Sequence, residues 1–313
     1  MPLRALRLTD PAPRLVLDGL IDFAGLFPPA GSGMAEAVRA FAHYRAAGTA
    51  WMLGRFVCPA TALDAFSAAA DPYLPRDPGA IPWRLSVTGS GDVAADCAAI
   101  AAFNTRHQVC FDECSALADC YELRLDTVDA VLAADAGIPR TLTTYVEVPW
   151  TASQPELLAA VAACGRRGKM RTGGTVPEAF PTAAQVADFL AHCVALDLPA
   201  KATAGLHHPV AGPYRLTYAV DAPTGRMFGF LNVLLAATLL RQGGDRSMAI
   251  TLLEDQEATH FAAGEEQLTW AGPEGPVRFS RDLLQATRTG TLVSIGSCSF
   301  TEPVDESRAL GFH

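Results

Sequence analysis

The sequence predicts a single (β/α)8 barrel, and three features support this. Short β-rich runs alternate with alanine-rich amphipathic segments, which is typical of βα units around a parallel sheet. Eight such units follow one another, which favours a closed barrel over an open doubly wound sheet. The length of 313 residues suits one barrel with an insertion, and a 50% hydrophobic composition can bury a large core.

The strands are predicted from short apolar runs that end at polar residues or glycines. The first strand and its loop fall within Leu15–Phe27. The other seven are predicted at Trp51–Val57, Trp83–Thr88, Cys120–Leu125, Leu142–Val148, Lys169–Thr172, Ala200–Gly205 and Leu292–Ser297.

Helices are predicted where apolar residues recur at helical spacing between these strands. Thr61 is a suitable N-cap, and Pro155 stands near the start of its helix. The predicted helices are Met34–Ala47, Thr61–Ala70, Val93–Phe103, Val128–Ala136, Pro155–Cys164, Ala183–Leu196 and Gly225–Leu240.

One stretch does not fit the alternation. The segment from Gln242 to Arg281 is too long for a simple connection between a helix and a strand. It contains an extra helix near Ala249–Asp255 and a hairpin at Leu268–Phe279 with a Gly/Pro turn. We therefore predict one domain over residues 1–313, with an insertion at about 242–281 between the seventh helix and the eighth strand.

Charge and composition restrict the partners. A net charge of −9 and a pI of about 5.2 argue against nucleic acid or an anionic membrane. The apolar stretch Met227–Leu240 is too short to span a bilayer, and the first 20 residues lack the apolar region of a signal peptide. We expect a cytoplasmic protein with reduced cysteines, no cofactor and a small-molecule substrate, and a homo-oligomer remains open.

Two lysines are the leading catalytic candidates. Lys169 and Lys201 head consecutive strands near the end of the predicted barrel, where strand ends and βα loops form active sites. A buried lysine is costly, and each of these could simply pair with a carboxylate. Two adjacent cations, however, lower each other's pKa, which frees an amine for attack on a carbonyl group.

Glycines form a second pattern at the same strand ends. Gly173 and Gly174, Gly205, and Gly296 with Ser297 close the sixth, seventh and eighth strands. Backbone N–H groups at such turns can bind an anion, typically a phosphate.

These motifs resemble deoxyribose-phosphate aldolase, a class I aldolase barrel. Lys169-Met-Arg-Thr-Gly, Lys201-Ala-Thr-Ala-Gly and Ile295-Gly-Ser-Cys-Ser match its strands six to eight in order and approximate spacing. Leu20-Ile-Asp22 resembles its opening strand, and Ala118-Asp-Cys-Tyr-Glu122 its fourth. The likeness covers the second half of the barrel better than the first.

The resemblance implies a role for each matched residue. Lys169 would form the Schiff base, Lys201 would lower its pKa, and Glu122 would relay protons. Gly174, Gly205, Gly296 and Ser297 would line an anion pocket. A class I aldolase type of lyase follows, acting on a small carbonyl compound.

The sequence also departs from the family. The family's further lysines after the strand-six glycine and on strand five are absent, and Arg171 and His207-His208-Pro are foreign to it. The planar guanidinium of Arg171 suits a carboxylate, so the predicted anionic carbonyl substrate is a keto acid or a sugar phosphate.

Two other functions stay open. His207 or His208 could join Glu122 and Glu147 in a metal-assisted lyase or hydrolase, because three protein ligands suffice for a catalytic metal. The barrel could also bind a ligand without catalysis, with the lysines as ion-pair elements. We count Asp22, Glu147, His207 and His208 among the predicted substrate-binding residues because they stand at strand ends or in the loops that follow them.

Overall fold

The computed structural model describes residues 10–77, 79–110, 113–151 and 154–312. Its centre is a closed barrel of eight parallel strands, as the sequence predicts. The barrel strands are β1 (Ile21–Phe23), β2 (Leu53–Pro59), β3 (Trp83–Thr88), β4 (Ala116–Arg124), β5 (Thr143–Glu147), β6 (Arg167–Arg171), β7 (Ala200–Thr203) and β8 (Leu292–Ser297).

The barrel closes where β1 pairs with both β2 and β8, so that the order around it follows the chain. Helices with a buried apolar face connect the strands. The helices of the described residues are Ala12–Leu17, Met34–Ala46, Leu63–Ala70, Val93–Arg106, Val128–Gly137, Gln154–Ala163, Ala183–Ala195, Phe230–Arg241, Arg246–Glu254, Arg281–Gly290 and Thr301–Ala309.

The start of the chain differs from the prediction. The first strand is only three residues long, because the residues Leu15–Leu17 belong to the helix Ala12–Leu17. Pro13 at the start of this helix fixes a helical φ, and Gly19 with φ +56° turns the chain into β1. The apolar residues 15–17 are therefore buried on a helix and not on a strand.

The helix after β7 also starts later than predicted. Residues Thr224–Met227 form a strand that pairs antiparallel with Gly212–Arg215, and the helix begins only at Phe230. Gly225 permits this hairpin, because a Cβ there would lie 2.7 Å from Leu216 Cδ2. The hairpin lengthens the loop between β7 and its helix at the open end of the barrel.

The insertion has the predicted helix and hairpin, with additions. The helix Arg246–Glu254 precedes a three-stranded antiparallel sheet of Phe261–Ala263, Gln267–Gly272 and Gly275–Ser280. Trp270 anchors the sheet, since its ring is buried and its Nε1 donates to Asp255 Oδ2 at 2.7 Å. The helix Arg281–Gly290, which the sequence analysis left unassigned, then leads into β8.

The barrel interior is polar over much of its depth. Towards the amino ends of the strands, the guanidinium groups of Arg55 and Arg84 both pair with Asp119. Asp119 is the extra residue of a bulge between β3 and β4. Nearer the carboxyl ends lie the two lysines and three carboxylates described below. Within the described residues, no helix has the length and apolar character needed to cross a membrane.

Candidate active site

A cavity of about 470 Å³ opens at the carboxyl ends of the barrel strands. Its floor contains Glu122, Glu147 and Lys169, and its walls come from the loops that follow the strands. This is the end at which barrels carry their active sites, because loops from all eight strands converge there.

Lys201 lies beneath the floor of the cavity and is completely buried. Its Nζ donates to Asp22 Oδ2 and to Glu122 Oε1, each at 2.6 Å. Asp22 also accepts from Ser294 Oγ at 3.1 Å and from the backbone N–H of Arg55 at 2.7 Å. A Cβ at residue 54 would lie 2.3 Å from Asp22 Oδ1, so Gly54 makes room for this carboxylate.

Lys169 lies above Lys201 and lines the cavity. Its Nζ is 2.9 Å from Glu122 Oε2 and 2.9 Å from Glu147 Oε2. Glu122 therefore binds one lysine through each carboxylate oxygen, and its Oε1 also accepts a hydrogen bond from Ser86. Of the two amines, that of Lys169 is the one that a molecule in the cavity can reach.

Strand register produces this arrangement. Lys169 on β6 lies opposite Lys201 on β7, and Glu147 on β5 lies opposite Lys169. Asp22 on β1 and Glu122 on β4 meet across the interior, where both contact Lys201 Nζ at 2.6 Å. Residues paired on neighbouring strands face the same side of the sheet, so Glu147, Lys169 and Lys201 all point into the barrel.

The carboxylates control the charge states of the lysines. Burial by itself lowers the pKa of Lys169, but Glu122 and Glu147 outweigh it and raise that pKa above its ordinary value. Lys201 follows the same pattern with Asp22 and Glu122. Burial raises the pKa of Glu122, yet the charges of both lysines hold it far below its usual range. The lowered lysine pKa expected from two neighbouring cations is therefore wrong for this resting site.

Two arginines flank the floor on the side of β4 to β6. Arg171 ends β6, and its Nε is 3.7 Å from Glu147 Oε1. Arg124 ends β4 opposite Glu147. Both line the cavity, and both side chains are largely exposed there. Arg171 thus lies where the sequence predicts a substrate contact.

The predicted glycine pocket is only partly at the cavity surface. Gly174, Gly205 and Gly296 line the cavity, whereas Gly173 and Ser297 lie behind it. Gly173 is packed so closely that a Cβ would lie 2.5 Å from Phe180 Cε1 and 3.1 Å from Gly205 Cα. Its absent side chain lets the loops after β6 and β7 approach each other.

The wall beside β8 contains a histidine and a thiol. His207 lines the cavity, and its Nδ1 is 3.2 Å from Ser297 Oγ. Burial, with a smaller effect of His208, lowers the pKa of His207 to about 4, so its ring is neutral at pH 7. Cys298 also lines the cavity, with its Sγ 3.8 Å from both ring nitrogens of His207.

The residues proposed for a metal site do not converge. His208 points away from the cavity, stacks on Tyr214 and pairs with Glu306 at 2.8 Å. Glu122 and Glu147 are engaged by lysines, and the described residues contain no group of three metal-ligating side chains.

One signal in the sequence was missed. Lys169 and Lys201 are the only lysines in the chain, whose other 22 basic residues are all arginines. Both lie inside the barrel and share Glu122. An arginine cannot lose its proton in a protein, whereas a lysine can. The chain therefore holds its two lysine amines inside the barrel, while every other lysine or arginine position is an arginine.

No protein-family model matches the chain, and a search of curated proteins finds no match. The aldolase resemblance rests on the quoted motifs and on the barrel fold.

Proposed function

We propose that this protein is a lyase of the class I aldolase type, in which Lys169 forms a Schiff base with a small carbonyl compound. The observation that carries the proposal is the placement of the lysines. The chain has two, both are inside the barrel, and one of them lines the cavity at its active end. Such an amine can attack a carbonyl carbon, which arginine in the same place could not do.

The first step needs a neutral amine. Glu147 and Glu122 each lie 2.9 Å from Lys169 Nζ, so either carboxylate can accept its proton. The nitrogen then bonds to the carbonyl carbon, the carbonyl oxygen leaves as water after protonation, and an iminium ion remains. Lys201 stays bound to Asp22 and Glu122, so Glu122 keeps an ion-pair partner whenever it is ionised.

The second step makes or breaks a carbon–carbon bond. A base removes a proton from the carbon next to the iminium to give an enamine, and that carbon attacks a second carbonyl group. Water then hydrolyses the new iminium and frees Lys169, and cleavage is the reverse sequence. The alkoxide formed on the second carbonyl oxygen takes up the proton that the base removed, and His207, a neutral imidazole in the lining of the same cavity, can donate a hydrogen bond to that oxygen.

Reductive trapping tests this function. The protein is incubated with acetaldehyde, pyruvate or dihydroxyacetone phosphate and then reduced with borohydride. We expect the intact mass to rise by that of the carbonyl compound less one oxygen atom, and the adduct to map to Lys169. The assay is clean because Lys201 and the terminal amine are the only other primary amines.

The Lys169→Arg variant should lose the adduct and keep its thermal unfolding transition. An adduct on Lys201 would exchange the two roles. Absence of an adduct with every compound would favour the second candidate, a ligand-binding barrel, for which the full pairing of both lysines is the supporting observation.

A further inference from the structure

The arginines at the cavity rim have guanidinium groups that are available to a ligand. The side chain of Arg171 is 51% exposed, and its ion-pair neighbour is Glu147 at 3.7 Å, beyond hydrogen-bond distance. Within the described part of the chain, the side chain of Arg124 takes part in no hydrogen bond or ion pair, although its charge acts on Glu147. Both line the same cavity as Lys169.

The charges around the cavity do not balance. The charged side chains of its lining are three cations, Arg124, Lys169 and Arg171, and two carboxylates, Glu122 and Glu147. Beneath them, Lys201 and Asp22 compensate each other. One positive charge is therefore in excess at this site, in a chain whose net charge is −9. A local field of this sign attracts anions.

Glu147 shows what fits between the two cations on β6. One of its carboxylate oxygens contacts Lys169 Nζ at 2.9 Å, and the other lies 3.7 Å from Arg171 Nε. The amine and the guanidinium are thus separated by the width of about one carboxylate. A ligand bonded to Lys169 through a carbonyl carbon can reach Arg171 with a carboxylate attached directly to that carbon.

The opposite wall has no cation of its own. It is formed by Gly205, Gly296 and the neutral His207, together with apolar residues such as Phe27 and Pro28. This side suits an uncharged reaction partner or an apolar substituent. The fixed positive charge lies at the ends of β4 and β6, on the side away from β8.

We propose that the substrate carries a carboxylate directly next to the reacting carbonyl, as in a 2-keto acid, and that Arg171, assisted by Arg124, binds that carboxylate. This inference rests on the proposed Schiff-base function for the position of the carbonyl group. The anion-binding part stands on the arginines themselves and can be tested without an adduct.

Matched pairs of small molecules isolate the carboxylate. Pyruvate and methyl pyruvate share the carbonyl group, but only pyruvate is charged, so trapping of each is measured as a function of concentration. In Arg171→Leu the half-saturating concentration of pyruvate should rise about tenfold or more, because a charge-assisted hydrogen bond is lost. That of methyl pyruvate should stay within about twofold. Arg171→Lys should recover only part of the loss, because it keeps the charge without the planar fork.

Lactate provides a test that needs no Schiff base. It has the carboxylate of pyruvate but a hydroxyl group in place of the ketone, so it cannot form a Schiff base. Its binding, measured by saturation-transfer NMR, therefore reports the anion site alone. We expect lactate binding to weaken in Arg171→Leu and, less strongly, in Arg124→Leu. The control is Arg278→Leu, an exposed arginine on the insertion sheet, which should bind lactate like the unaltered protein.

The outcomes separate the two proposals. If lactate binding depends on Arg171 but no carbonyl compound gives an adduct, the Schiff-base function is contradicted and the carboxylate site is supported. The adduct on Lys169 could also form with the same half-saturating concentration of pyruvate and of methyl pyruvate in every variant. That result would overturn the carboxylate site and support the Schiff-base function. A third outcome is that Arg171→Leu weakens the trapping of dihydroxyacetone phosphate relative to dihydroxyacetone and leaves pyruvate and methyl pyruvate equally affected. That result would overturn the carboxylate site in favour of a phosphate site.

Discussion

Glu122 is the residue on which the charges of the candidate site depend. A buried carboxylate costs several kcal/mol unless cations and hydrogen bonds compensate it, and Glu122 has two lysines and the Ser86 hydroxyl. When a carbonyl group bonds to Lys169, Lys201 remains on Glu122. The site can therefore change the charge on one amine without leaving a buried carboxylate unpaired.

The sequence pointed to the charged residues of the candidate site, but it did not predict which of them contact each other. Polar residues at strand ends pointed to Lys169, Lys201, Glu122, Glu147 and Asp22. The prediction that the two lysines have lowered pKa values was wrong. It considered the neighbouring cation but not the two carboxylates that each lysine contacts, which raise the pKa. Those contacts depend on the register of strands far apart in the chain, which no local pattern specifies.

The raised pKa of Lys169 predicts how the site responds to Glu147→Gln. The glutamate favours the charged amine, so its neutralisation should lower the pKa of Lys169 and make the neutral amine available at lower pH. We expect the pH midpoint of reductive trapping to fall by about one unit or more, the usual effect of one close opposite charge. The measurement is the initial trapping rate between pH 6 and 11.

The matched control for this change is Glu178→Gln, since Glu178 is exposed and lies outside the cavity lining. Its trapping profile should coincide with that of the unaltered protein. A profile that moves to higher pH in Glu147→Gln would mean that Glu147 does not stabilise the ammonium form.

At the scale of elements, the loops after β6 and β7 are joined by contacts that the sequence motifs hide. Thr172 Oγ1 donates to Ala204 O at 2.6 Å, and Gly173 and Gly205 pack against each other beside Phe180. Ala204 and Gly205 both have positive φ, at 66° and 72°. The Thr-Gly-Gly and Ala-Gly runs therefore also serve to bring two loops together, and only part of them faces the cavity.

Gly205→Ala tests this loop contact. The substitution places a methyl group in a positive-φ position, 3.0 Å from Phe180 Cε1 and 3.2 Å from Gly173 Cα. The control is Gly243→Ala, which also has positive φ but has no atom within 4 Å of the added Cβ. Urea unfolding should show Gly205→Ala to be less stable than the control by about 1 to 3 kcal/mol, the cost of overpacking. Equal stabilities of the two variants would mean that the positive φ alone, and not the contact with Phe180 and Gly173, requires a glycine at residue 205.

For the whole molecule, the ion pairs form one connected group inside the barrel. Asp22, Lys201, Glu122, Lys169 and Glu147 connect β1, β7, β4, β6 and β5 in turn. Strands that are not neighbours in the sheet are thus joined across the interior. Such a group adds little net stability when complete, but the loss of one member leaves buried charges unpaired.

Lys201→Met should accordingly lower the free energy of unfolding by about 3 to 5 kcal/mol at pH 8, measured by urea denaturation. In this variant Asp22 is a buried carboxylate with no other cation in ion-pair contact within the described residues, and burying an unpaired charge is costly unless it is neutralised. The difference from the unaltered protein should therefore shrink as the pH falls from 8 to 5.

Both lysines of the chain are inside the barrel, so no surface lysine is present to serve as a control. The comparison is therefore Arg246→Met, which removes an exposed ion pair with Asp188. Its effect should stay below about 1 kcal/mol and change little with pH. A pH-independent loss in Lys201→Met would show that missing packing, and not an unpaired carboxylate, destabilises that variant.

The sequence by itself determined the barrel, because alternating strand and helix patterns are local and repeat eight times. It also determined which polar residues stand at strand ends. Only the tertiary structure decided that Lys169 faces the cavity while Lys201 lies buried beneath it, and that both share Glu122. It also placed Asp22 below the floor and turned His208 towards Glu306. These outcomes depend on strand register and loop packing, which join residues far apart in the chain, such as Asp22 and Lys201 at a separation of 179 positions, and follow from the closed barrel as a whole.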